Sequence, residues 1–115
     1  MKAIRIHHFG GPEVLIAEDV AMPELKPREV LVRVHAASLN PVDYKTREGH
    51  FPPVSKDKLP ITLGRDIAGV VEAIGDGVSG FEDGQAVYAM LPPDRGAFAE
   101  SSRFPRPIWR PCRER

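Results

Sequence analysis

The sequence predicts a mainly β domain with one short helix near residues 41–48, and three observations carry that expectation. Glu29 to Ala37 alternates: Val30, Val32, Val34 and Ala36 share one face while Arg33 and His35 lie on the other, the period of a half-buried strand. Two more apolar runs, Asp66 to Ile74 and Gln85 to Met90, are separated by a stretch in which Gly77 and Gly84 mark turns. Helix signals are concentrated in one place. Asn40 is a good N-cap, Pro41 suits the first helical position, Asp43 puts negative charge in the first turn, and Gly49 can end the helix in a left-handed conformation.

Taken in order, Ala3 to His7 and Leu15 to Asp19 read as two strands joined across Gly10-Gly11-Pro12. Pro23 and Pro27 interrupt the next segment, and the alternating strand then leads into the helix, with His35 expected at the surface. Within the helix Asp43 and Arg47 have i, i+4 spacing, a pairing worth about 0.2–0.5 kcal/mol. A capped helix accounts for the NPVD stretch. So does a ligand contact, because an N-cap side chain and a helix N-terminus can face a polar or anionic group. His50 to Pro60, with three prolines and mixed charge, reads as a loop. Gly69 inside its strand predicts a bulge or a close backbone approach. Gly96 to Glu100 begins one more strand.

A chain of 115 residues has room for one domain and buries roughly 65% of its unfolded surface. Its 42% apolar and 28% charged residues are ordinary for a globular protein. Uninterrupted apolar runs extend for only a few residues, which excludes a transmembrane helix. The first residues, MKAIRIHHFGG, carry charge where a signal peptide needs an apolar run, so a cytoplasmic location is expected. One cysteine, Cys112, and four dispersed histidines form no zinc-ligand spacing.

The zero net charge conceals a break near Glu100. Residues 1–100 hold 11 Lys and Arg against 15 Asp and Glu, whereas residues 101–115 hold five Arg against Glu114 alone. The last stretch also has three prolines and no periodicity, so neither a helix nor a central strand is expected there. The expected organisation is a folded domain over 1–100 and a disordered or out-of-frame tail over 101–115. Phe104 and Trp109 among the arginines suggest a rival role for the tail, binding nucleic acid or an acidic partner. The acidic body opposes long-range attraction to a polyanion, which makes nucleic acid a poor partner.

Gly75-Asp76-Gly77-Val78-Ser79-Gly80 fits the G-x-G-x-x-G spacing of a dinucleotide-binding turn and comes after a strand. That fingerprint needs its third glycine to open a helix. Here Phe81-Glu82-Asp83-Gly84-Gln85 leads straight to another strand, so a plain turn is expected.

Together, SLNPVDYKTREG, LGRDIAGVV and IGDGVSGFEDGQAVY resemble the medium-chain dehydrogenase/reductase superfamily, and specifically its zinc-independent quinone oxidoreductase branch, over residues 1–100. The resemblance implies a GroES-like, partly open β-barrel as the catalytic domain, here incomplete at its C-terminal end. In complete members a Rossmann domain comes next and binds NADPH, and hydride passes to quinones, enones or related small activated carbonyl compounds; a homodimer is a possible assembly. Where zinc alcohol dehydrogenases of this superfamily carry a zinc-binding cysteine and a proton-relay Ser or Thr before an aspartate, this chain has Asn40 and Val42 before Asp43, and where they carry Gly-His-Glu it has Gly64-Arg65-Asp66, so the resemblance implies no zinc. Without a Lewis acid, alcohol oxidation is a poor fit and conjugated carbonyl reduction a better one.

On that resemblance, Asn40 is the expected polar contact to the nicotinamide or the substrate carbonyl, as its amide both donates and accepts. Tyr44 is a candidate donor or aromatic wall, and Lys45 a candidate charge partner for the cofactor. Asp43, Arg65 and Asp66 are expected in structural or substrate contacts. No segment is expected to hold the dinucleotide, so the 115 residues alone are expected to show little or no reductase activity. A truncated or frameshifted product is the expected origin of the tail, with a non-enzymatic binding module or a decayed remnant as the alternatives.

Overall fold

The computed structural model describes residues 1–93, 95–105 and 109–111, with backbone only from residue 104 onward. Cys112 and Glu114 lie outside the described residues, as do the side chains of Phe104 and Trp109. The strands are β1 (Lys2–Ile6), β2 (Ile16–Asp19), β3 (Glu29–Ser38), β4 (Ile61–Thr62), β5 (Asp66–Ile74), β6 (Ala86–Met90), β7 (Ser101–Pro105) and β8 (Trp109–Pro111), with helix α1 at Pro41–Glu48. They form two sheets, ordered β2-β1-β4 and β7-β3-β5-β6-β8, which keep open edges rather than closing into one ring. The mainly β, partly open architecture expected from the sequence is the one observed.

Residues 97–100 tie the sheets together. Ile4 N–H donates to Phe98 O, Glu100 N–H to Lys2 O and Val34 N–H to Glu100 O, and Ala3 forms an isolated bridge with Ala99. The sequence predicts the start of a strand here; the stretch crosses between the sheets instead, and the strand starts at Ser101.

The alternation that predicts β3 also places its core. Val30 and Val32 are fully buried with Ile67, Val71, Val87, Ala89, Leu91 and Ala97, each Val worth roughly 1.5–3 kcal/mol of transfer free energy. The alternation ends early, since Ala36 and the residues after it in the strand are exposed. The cause is a change of register between Val34 and Ala36, which leaves exposed His35 outside the ladder to β5. Gly69 sits against that irregularity. A Cβ there would come within 2.2 Å of Arg33 O, so the close approach expected from the sequence is real and only glycine fits it. A second cluster, Ile6, Val14 and Leu63, is reached by Phe98, which packs on both.

Two expectations need correction. Asp43 and Arg47 do not pair: Asp43 is buried and accepts the Asn40 backbone N–H (2.8 Å), while Arg47 Nε reaches across to Gly10 O (3.2 Å). The loop expected from His50 to Pro60 is observed, with one 3-10 turn at Lys56–Lys58, and it leads into β4, a two-residue strand too short to show a period. The stretch past residue 100 does not lose order at once. Ser101–Pro105 pairs with β3 from Arg33↔Ser101 to Glu29↔Pro105, and Trp109–Pro111 pairs with β6. Both are edge strands, which need pairing on one side only and tolerate proline at a strand end. Charge compensates as well: Arg103 pairs with buried Glu29, so the basic tail and the acidic body are joined at this point.

Candidate functional site

The candidate site lies where β3 ends, α1 begins and β5 begins. Strand pairing sets Ser38 opposite Asp66, and Asp66 opposite Met90, so these three side chains form a row on one face of the larger sheet. The next row is Ala36, Ala68 and Tyr88. Two residues past Ser38, Asn40 takes an extended conformation as N-cap, and Pro41 starts the helix. The sequence encodes this directly, because strand alternation succeeded by a cap-Pro pair turns Asn40 back toward Ser38 and Asp66.

Asn40 Nδ2 lies 2.7 Å from Asp66 Oδ2 and 3.1 Å from Ser38 Oγ, and Ser38 Oγ donates to the same Asp66 oxygen at 3.2 Å. A carboxylate only accepts, so the amide nitrogen must face Asp66. Asn40 also forms a capping box with Asp43, its side chain meeting the Asp43 backbone N–H while the Asp43 carboxylate accepts the Asn40 N–H at 2.8 Å. Asp43, expected in a structural or substrate contact, closes the first turn of α1. Burial pushes its carboxyl up from the ordinary aspartate value; bonds from the Asn40 and Gly64 N–H groups and the charge of Arg65 oppose this, and Asp66 adds to it.

Arg65 and Asp66 point to different partners. Arg65 Nε donates to Leu91 O at 2.7 Å, and its guanidinium stands 5.7 Å from the centre of the Phe51 ring. Tyr44 is 49% exposed and Lys45 is exposed, and among the described residues neither side chain makes a hydrogen bond. Tyr88 (52% exposed) and Met90 (62% exposed) leave the face beside Asp66 apolar and uncovered. Ser38, Tyr88 and Met90 are site residues that sequence reasoning misses. The period-two pattern puts Ser38 on the same side as Asn40, but only the pairing of β3, β5 and β6 brings in the other two.

Gly75 to Gly80 forms turns, with Gly77 and Gly80 at positive φ, and no helix comes after them. Among the described residues no three His, Cys, Asp or Glu side chains gather as a metal site, and no helix is long and apolar enough to cross a membrane.

Two open β sheets joined by residues 97–100, with one short helix and a polar cluster at the strand ends, define the class of an open, barrel-like β domain. The alcohol dehydrogenase GroES-like domain family matches residues 26–105, and the chain belongs to that family. The match runs through β7, five residues past the change in composition. A quinone oxidoreductase of Rattus norvegicus is 46% identical over 89 residues, covering 76% of this chain and 26% of that protein. An NADPH-dependent alkenal/one oxidoreductase of Arabidopsis thaliana is 43% identical over 90 residues, covering 77% and 23%. Among solved structures, the quinone oxidoreductase of Coxiella burnetii superposes with a TM-score of 0.89 at 37% identity, covering 96% of this chain and 36% of that one. The Escherichia coli quinone oxidoreductase complexed with NADPH gives 0.87 at 30% identity, covering 96% and 33%. The chain thus lies in the quinone oxidoreductase branch of the medium-chain dehydrogenase/reductase superfamily and spans about a quarter of the length of these curated relatives.

Proposed function

We propose that this domain is the substrate side of a zinc-independent, NADPH-dependent oxidoreductase that reduces quinones, enones or related activated carbonyl compounds. The observation that carries the proposal is the Asn40 amide, held by Asp66 at the rim of an apolar, uncovered sheet face bearing Tyr88 and Met90. A flat conjugated acceptor fits such a face, because it buries both rings and aliphatic atoms while meeting one oriented polar group. The relatives named quinone oxidoreductase and alkenal/one oxidoreductase support the same substrate class.

The residues present fit the nicotinamide end of the cofactor better than its pyrophosphate. Asn40 offers a polar amide, Tyr44 a half-exposed ring and hydroxyl, and Lys45 a positive charge for a phosphate, whereas the turn at Gly75–Gly80 lacks the helix start that would bind one. NADPH, when bound, supplies the hydride. The chain's own part is to orient the acceptor against the apolar face and exclude water from it; an enolate formed there can take its proton from solvent. These 115 residues alone are therefore expected to reduce quinone slowly or not at all.

Joining residues 1–105 to the remainder of the rat quinone oxidoreductase, in place of its matching segment, tests the assignment. The hybrid should reduce 9,10-phenanthrenequinone with NADPH, and Asn40→Ala should lower kcat/KM at least about tenfold, the loss of one good polar contact. A folded hybrid with no NADPH-dependent quinone or enone reduction would sink it.

A further inference from the structure

We propose that the cleft lined by β4 and β7 binds a small organic dianion, a phosphate monoester carrying an apolar body. The cleft has a volume of about 690 Å³, within the range of about 300–1,000 Å³ in which small-molecule sites fall. No residue of the Asn40 cluster lines it, so it stands apart from the site of the proposed reduction.

Charge is the first observation. Residues 1–100 are acidic on balance, yet Arg5, Lys58, Arg95 and Arg103 all line this cleft, and no Asp or Glu among the described residues does. Neighbouring carboxylates answer only part of that charge. Arg95 and Arg103 share the single carboxylate of Glu29, and Glu18 serves both Arg5 at 3.5 Å and His7 at 2.7 Å. Lys58 Nζ donates to the Pro53 carbonyl at 2.9 Å and, among the described residues, meets no carboxylate. Cations in surplus along low-dielectric walls concentrate a positive potential, and a doubly charged anion is the ligand that lowers it most.

Shape is the second. Ser102 lies opposite Val32 and Arg103 opposite Leu31, so their side chains leave β7 on opposite faces, yet both line the cleft. The cleft therefore wraps the free edge of β7. Ser102 is buried and Thr62 half-buried, and among the described residues neither hydroxyl makes a hydrogen bond, which leaves two neutral donors in the cleft wall beside the cations. Pro53, Val54, Pro60, Ile61 and Pro93 supply an apolar wall, and the three proline rings fix its backbone in advance of binding. Guanidinium forks pair with carboxylate and phosphate alike. A phosphate monoester brings about −1.5 to −2 charges at pH 7 and three acceptor oxygens to one point, which suits several cations and two hydroxyls better than one carboxylate does.

NMR titration of the isotope-labelled 115-residue chain with phenyl phosphate tests the site. The amide resonances of Thr62, Ser102 and Arg103 should move together and saturate. Inorganic phosphate, which lacks the body, should need at least about tenfold more, and phenol, which lacks the charge, should move none of them. Lys58→Glu, a change at an exposed loop residue, should weaken phenyl phosphate at least about tenfold while the backbone spectrum stays dispersed. Ser102→Ala, which removes one donor and no charge, should weaken it by a smaller factor. Shifts confined to the arginines past residue 105 would mean that a basic tail alone attracts the anion and would overturn the site, as would equal affinity in Lys58→Glu. Inorganic phosphate binding as tightly as phenyl phosphate would overturn the assignment of a monoester with an apolar body.

Discussion

Glu29, the first residue of β3, and Arg103, in β7, are 74 residues apart in sequence and form an ion pair in the structure, with Arg95 on the other carboxylate oxygen at 3.2 Å. Glu29 is buried, while the two guanidiniums are partly exposed. Burial alone would cost the charged carboxylate several kcal/mol, and the two arginines offset that by pairing with it directly. The contact ties β7, an edge strand of the larger sheet, and the segment before it to a central strand.

Removing one partner should therefore be expensive. Arg103→Ala is expected to lower stability by roughly 3 kcal/mol, the low end for breaking a buried pair because Arg95 still holds the carboxylate. Glu29→Gln should cost a similar amount by leaving two guanidiniums facing each other. Urea unfolding of both variants measures this, and a loss under about 1 kcal/mol in each would show that the pair contributes little.

The same contact gives an acid response. Burial raises the Glu29 carboxyl, but the hydrogen bonds and charges of Arg103 and Arg95 outweigh it and hold the group below its ordinary value. A carboxylate with a lowered folded value contributes stability above its unfolded value and loses it as pH falls through the folded one. Wild-type melting temperature should drop on acidification below about pH 4.5, and Glu29→Gln should flatten that part of the drop.

Asp43 has the opposite sign. Burial, with help from Asp66, raises its folded value, so its ionised form costs stability and the cost appears as pH rises through that value. Asp43→Asn keeps an acceptor for the Asn40 N–H and removes the charge. Its stability at pH 7 should lie within about 1 kcal/mol of wild type, whereas Asp43→Ala should lose about 1 kcal/mol more with the cap contact. The wild type should gain on Asp43→Asn as pH falls toward 4, read from paired melting curves.

Local order in this chain is legible wherever one residue type has one job. The β3 alternation, the Asn40-Pro41 start and Gly49 end of α1, and the turn at Gly75–Gly80 arise from backbone preferences and side-chain period alone. What the sequence hides depends on pairing between distant segments. Ser101–Pro105 looks unlike a strand because its arginine and proline have no visible purpose until β3 is beside it and Glu29 is beneath Arg103. Asp66 likewise reads as part of a Gly-Arg-Asp motif in a structural or substrate contact, and only the β3–β5 register shows that it faces Asn40 while Arg65 turns to Leu91.

Glycine positions separate two kinds of constraint. At Gly69 a Cβ would sit 2.2 Å from Arg33 O, a backbone atom that cannot move without disturbing β3, so Gly69→Ala should cost about 2–3 kcal/mol. At Gly84 nothing lies within 4 Å, but φ is +82°, so Gly84→Ala should cost about 1 kcal/mol from backbone conformation alone. Denaturant midpoints of the two variants give the comparison, and equal losses would mean that the β3–β5 approach is looser than the structure shows.

Ending the chain at Glu100 tests whether the change in composition there is also a structural boundary. A disordered tail could be removed with no change in stability. The structure predicts otherwise, because the cut removes β7, uncovers the backbone edge of β3 from Glu29 to Arg33, and takes Arg103 from buried Glu29. Residues 1–100 should be less stable than the full chain by at least about 3 kcal/mol, the ion-pair loss alone, and should self-associate through the newly exposed edge. Urea unfolding reads the first effect and size-exclusion chromatography the second. Restoring residues 101–105 with Arg103 changed to Ala should rescue the monomer but not the full stability, which separates the contribution of strand pairing from that of the charge.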